Sequence, residues 1–173
     1  MNKEKFMQSD VALYGMLASV ALVMGYIESL IPIPYPVYGM KIGLANIVIV
    51  WVLYAMDVKA AATISAIRVI LSGFLFGNLY SIIFSLAGAA LSIVVMWLLK
   101  KTNKFSIVGV SIAGGVCHNL GQIFVAAIVL ENIRIVSIYP YLMISGVVSG
   151  IAIGIAGGIL FKKIKILQTN VRM

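Results

Sequence analysis

Arg68 lies near the middle of an otherwise apolar stretch, residues 60–76, and is the residue in this chain best placed to do chemistry with an anion. A guanidinium at bilayer depth costs roughly 2.5–3.5 kcal/mol on insertion scales, so it must be paired, wetted or matched to a ligand. Ser65, Arg68 and Ser72 follow i, i+3, i+7 spacing and share one helix face. His118 and Gln122 are i, i+4 on a later stretch, with Asn119 between them and Gly114, Gly115 and Gly121 close by. Glycines there let a ligand or another helix approach the polar side chains. Asn46 and Glu28 complete the set, and Glu28 is a candidate counter-ion for Arg68 or Lys41.

These groups need elements that hold them at membrane depth. The chain has 62% hydrophobic and 10% charged residues and a mean hydropathy of +1.12, too little polar surface for a soluble domain of 173 residues. Six apolar segments read as helices over residues 11–31, 42–56, 58–76, 79–99, 106–130 and 138–161, with the second short of the roughly 20 residues a span requires. The expected fold is an all-α integral membrane protein, one domain over residues 1–173, arranged as a six-transmembrane-helix bundle. Ser9 or Asp10 is the expected cap of the first helix, and Pro32, Pro34 and Pro36 end it.

Ten basic residues fall on one side of this arrangement: Lys3, Lys5, Lys59, Lys100, Lys101, Lys104, Lys162, Lys163, Lys165 and Arg172. Lys41 and Arg134 fall on the other. The positive-inside rule then puts both termini in the cytoplasm of a bacterial cell membrane, and it accounts for the net charge of +8 without a nucleic-acid partner. Counting 1.5 Å per residue from the cytoplasmic ends places Arg68 about 15 Å up, His118 about 18 Å, Gln122 about 24 Å and Glu28 about 26 Å. Asn119 and Asn46 lie in the same upper half. The expected site is therefore a cavity open to the outside with Arg68 as its floor. The stretch 31–41 is either a lid over that opening or an ordinary interfacial loop. Tyr35 and Tyr38, within it, are candidates to stack on a ligand, although an aromatic belt explains most outer tyrosines.

Several classes are disfavoured by what the residues lack. No Gly-x-x-x-x-Gly-Lys-Ser/Thr phosphate loop occurs, and the five carboxylates form no aspartate-rich motif for magnesium and diphosphate. A single His and the single Cys117, itself within a span, argue against a metal site or a disulfide framework. The expectation is a binding protein rather than an enzyme, with no cofactor. Gly146, Gly150, Gly154 and Gly158 recur every fourth residue and form a close-packing ridge, expected to work within the bundle. Gly15 and Ser19 on the first helix better suit a partner.

Gly43-Leu-Ala-Asn-Ile47, opening the second helix, and Gly115-Val-Cys-His-Asn-Leu-Gly-Gln122 in the fifth resemble the Gx transporter family, also labelled heptaprenyl diphosphate synthase component I. That family is similar to the substrate-binding S components of energy-coupling-factor vitamin transporters. The resemblance implies capture of a vitamin-like or isoprenoid-related small molecule from outside, with a membrane scaffold subunit and two ATPases supplying movement. It also implies gating by the loop after helix one. Gly15, Ala18 and Ser19 are a loose equivalent of the small residues with which S components dock. In this reading Arg68 meets a carboxylate or phosphate, His118, Asn119 and Gln122 orient polar edges, and Glu28 pairs or gates. The alternatives are a non-transport membrane subunit of isoprenoid or quinone synthesis, and a self-sufficient proton-coupled carrier using His118 and Glu28.

Overall fold

A computed structural model describes residues 3–31 and 42–170, with side chains placed for 11–31 and 42–164. The described residues are helical, with six α-helices: α1 (Lys3–Leu30), α2 (Leu44–Ala55), α3 (Val58–Phe76), α4 (Leu79–Thr102), α5 (Ile107–Val129) and α6 (Tyr139–Asn170). A short 3-10 segment, Ile133–Ile138, leads into α6. Five helices are long and apolar enough to cross a bilayer. α2 is not: its 12 residues rise about 18 Å, well short of a hydrocarbon core of about 30 Å.

Helix ends follow local chemistry. Asp57 accepts the Ala60 N–H at 2.7 Å to start α3. Asn78 and Ser81 form a reciprocal capping box at the start of α4. Ser106 accepts the Gly109 N–H at 3.1 Å to start α5. The first helix departs from expectation, because it begins at Lys3 and places Ser9 and Asp10 inside it rather than at its cap. Nothing between Lys3 and Asp10 breaks a helix, so the charged N-terminal turns simply extend the apolar span. α6 likewise continues to Asn170, since no Gly or Pro follows Gly158.

The helices group as two three-helix units. α5 packs extensively against α4 and α6, while α1, α2 and α3 pack on one another, and α3–α4 and α2–α6 contacts join the units. Close approach inside the first unit depends on glycine. A Cβ at Gly150 would sit 2.6 Å from the Ile112 Cα, and one at Gly154 would sit 2.6 Å from the Val108 Cα. A Cβ at Gly115 would meet the Gly146 carbonyl oxygen at 2.5 Å. The ridge thus joins α6 to α5, although at Gly158 the nearest atom is an ordinary 3.9 Å away. Gly15, by contrast, has nothing within 4 Å.

One end of the bundle, bearing the α2–α3 and α4–α5 corners, is closed by an apolar core. Val52, Leu53, Ala60, Ala61, Ile64 and Val110 are fully enclosed there. Lys100 reaches into this corner, donating to the Leu53 carbonyl at 2.5 Å and lying 5.1 Å above the Tyr54 ring centre. The lysine therefore satisfies a carbonyl that the end of α2 leaves without an intrahelical partner. The opposite end holds the C-terminus of α1 and the N-terminus of α2, and the polar groups gather below it.

Candidate functional site

The site begins with the short helix. Gly43, in the left-handed region at φ 80°, turns the chain into α2. The first N–H groups of α2 need acceptors, and Glu28 of α1 supplies them from 15 and 16 residues upstream. Its Oε1 accepts from Gly43 N at 2.8 Å and its Oε2 from Leu44 N at 2.9 Å. The carboxylate is buried, 9% exposed, and its charge also suits the positive end of the helix dipole. Glu28 thus has a structural task that side-chain spacing did not reveal.

One turn into α2, Asn46 turns its amide oxygen toward α3 and accepts from Arg68 Nη2 at 3.2 Å. The Nε of Arg68 is enclosed and makes no hydrogen bond. Among the described residues, Glu28 is the carboxylate whose charge acts on Arg68, yet the two make no direct ion pair. Arg68 is held by one neutral acceptor, with donors left over and a cavity in front of it.

That cavity lies between the two helical units and is lined by all six helices. It offers about 90 Å³ to the centres of water-sized molecules; one water needs roughly 10–15 Å³ on that measure, so the space holds a water cluster or a compact organic molecule. Glu28, Asn46, Arg68, His118, Asn119 and Gln122, drawn from α1, α2, α3 and α5, all line it. Asn119 also ties α5 to α6, its Nδ2 donating to the Leu142 carbonyl at 2.6 Å. The His118 turn presses on α4, where a Cβ at Gly88 would come within 2.6 Å of the His118 carbonyl oxygen and 2.8 Å of Gln122 Cγ. The absence of a side chain at Gly88 is what admits these two residues to the cavity wall. Tyr35, Tyr38 and Lys41, with the stretch that carries them, lie outside the described residues.

Sequence reasoning put Ser65 on the face of Arg68 but missed the rest of the lower wall. Arg68 is not the floor: Ser65, Met96 and Ser111 line the cavity nearer the closed end, and Ser92 lines it from α4. Ser111 stands only four residues into α5, about 6 Å along its axis. Serines in membrane helices are common enough that only their convergence on one space marks them, and that depends on helix rotation.

The model for the family heptaprenyl diphosphate synthase component I matches residues 17–160. The chain belongs to that family. The match runs from the second turn of the apolar part of α1 to the end of the apolar part of α6, so this family member carries every described cavity residue inside the matched region. No curated protein and no solved structure matches the chain.

Proposed function

We propose that this heptaprenyl diphosphate synthase component I family member is a substrate-binding membrane subunit that captures a small anionic organic molecule for uptake. The observation that carries the reading is Arg68: a guanidinium at mid-helix with a buried, unpartnered Nε, one neutral hydrogen-bond partner and a cavity before it. A structural arginine would be surrounded by acceptors, because leaving a buried charged donor unmet costs more than an ordinary hydrogen bond returns. The carboxylate closest in role, Glu28, is committed to the start of α2. An incoming carboxylate or phosphate would supply the missing acceptors, with His118, Asn119 and Gln122 at its edges.

In this reading α2 counts as a sixth, short span and both termini are cytoplasmic. Support comes from Lys59, Lys100, Lys101, Lys104, Lys162 and Lys163, which belong to the closed end, with Arg134 at the other. The cavity then opens outward and is sealed inward, as suits a capture subunit similar to the S components of energy-coupling-factor transporters. A membrane scaffold and two ATPases would provide the movement, since the chain has no phosphate loop of its own. In this reading the protein acts by binding, and the one carboxylate at the cavity is engaged by the start of α2.

The test is native mass spectrometry of the gently purified chain, alone and with whatever co-purifies. The wild type is expected to retain a small anionic molecule, and Arg68→Ala to lose it. Equal retention by Arg68→Ala would sink the assignment. The family's description favours a second reading, a membrane subunit accompanying prenyl diphosphate synthesis without transport. That reading requires a soluble synthase to co-purify with a chain whose cavity retains no small molecule.

A further inference from the structure

Hydroxyl groups on membrane helices ordinarily fold back onto a carbonyl of their own helix, because nothing else in the hydrocarbon can bond to them. Several serines here do so. Ser72 donates to the Val69 carbonyl at 3.1 Å and Ser149 to the Gly146 carbonyl at 3.3 Å, though both line the cavity. Ser65, Ser92 and Ser111 behave differently. They are among the most enclosed polar residues, at 2%, 7% and 3% exposure, yet their hydroxyls make no hydrogen bond with any described residue. Nor are their oxygens among the sealed polar atoms that lack a partner. All three residues line the cavity.

The three come from three helices that line one cavity, and a glycine keeps open the space beside Ser92. A Cβ at Gly114 would lie 3.2 Å from Ser92 Oγ and 2.5 Å from Met96 Sδ. Ser65 is three residues below Arg68 on α3, about 4.5 Å along the axis, and Ser111 is seven below His118 on α5, about 10 Å. We infer that Ser65, Ser92 and Ser111 form a neutral hydrogen-bonding subsite at the cavity floor, so that the cavity selects a compact bipolar molecule with an anionic group at Arg68 and an uncharged donor–acceptor edge several ångströms deeper.

This deepens, and rests on, the binding role proposed above, and it separates two ligand classes. A site lined with hydroxyls left waiting for partners rejects an isostere lacking those polar groups by as much as roughly 10⁴-fold, because the hydroxyls remain unmet. An isoprenoid chain entering tail-first places only CH and CH₂ groups against the floor. A hydroxylated, amide-bearing or heterocyclic carboxylate satisfies both ends.

The test uses cysteine substitution at the floor and needs no identified ligand. Ser65→Cys, Ser92→Cys and Ser111→Cys are made singly in a Cys117→Ala background, which removes the native thiol. Isolated membranes are treated with two reagents sharing one reactive group, 2-hydroxyethyl methanethiosulfonate and butyl methanethiosulfonate. In each case the cysteine thiolate displaces methanesulfinate and leaves a mixed disulfide, and rates are normalised to free cysteine. A polar, hydrated floor reacts with the hydroxyethyl reagent at least ~10-fold faster than with the butyl reagent at all three positions, since the apolar tail finds no matching wall. Faster reaction with the butyl reagent, or none with either, overturns the subsite. Retention of a small molecule, read in parallel by native mass spectrometry, keeps the two proposals apart. A retained anion with a butyl-selective floor defeats the subsite alone, whereas a hydroxyethyl-selective floor with nothing retained supports the subsite and counts against the binding role.

Discussion

Glu28 and Arg68 are the two groups that a membrane helix least tolerates, and the structure gives each a different answer. Glu28 is matched to backbone: both its oxygens take N–H groups from the start of α2. Charge-assisted bonds of this kind contribute about 1.5–3 kcal/mol each way they are removed, so Glu28→Gln, which keeps one acceptor and loses the charge, is expected to lower stability by about 2 kcal/mol. Thermal unfolding in detergent measures it, and an unchanged transition would show the cap to be dispensable. Arg68 keeps a single neutral partner. Arg68→Gln should therefore leave the unfolding transition nearly where it is, while removing the affinity for an anion. A transition that falls as far as that of Glu28→Gln would mark Arg68 as part of the scaffold. Charge at membrane depth drew attention to both residues in the sequence, and both line the cavity. The division of labour was not, because it turns on which way each side chain points at the break before Leu44.

At the scale of elements, α2 is the unusual member. Its 12 residues end inside the thickness that the longer helices cross, so one of its ends must be satisfied by protein rather than by water. Glu28 serves the N-terminal end and Lys100 the C-terminal end, through the Leu53 carbonyl. Lys100→Met removes that second contact and is expected to cost about 1 kcal/mol, again read by thermal unfolding. The glycine ridge gives a sharper contrast. Gly150→Val forces a side chain against the Ile112 backbone and should cost several times the ~1–3 kcal/mol of ordinary overpacking, since whole helices must separate. Gly15→Val meets open space and should leave the isolated chain as stable as before. If Gly15 instead serves a partner, its substitution removes that partner from the purified complex without touching the fold. The four-residue glycine interval identified the ridge from sequence alone, and hydrophobic runs located α2, α3, α4 and α5 to within a few residues, while α6 runs nine residues past its expected end. The start of α1 was misplaced because a capping residue signals a helix start only when the preceding turns are unable to be helical.

For the whole molecule, six crossings bring the two termini to one side of the membrane. Reporter fusions at the two termini are expected to fall on the same, cytoplasmic side; opposite sides would mean that α2 does not cross and that the chain spans five times. Composition, the positive-inside bias and the depth of the polar residues were enough to establish a helical membrane protein and to draw Glu28, Asn46, Arg68, His118, Asn119 and Gln122 into one candidate set. These are one-dimensional quantities: hydropathy, charge and position along a helix of known rise. The tertiary structure alone decided that Glu28 caps a helix in place of neutralising Arg68, that the cavity continues past Arg68 to Ser65, Ser92 and Ser111, and that Gly88 and Gly114 make the room for it. Each of those depends on the rotation of one helix about its axis relative to its neighbours. Rotation is set by packing between segments far apart in the chain, and no local pattern of residues carries it.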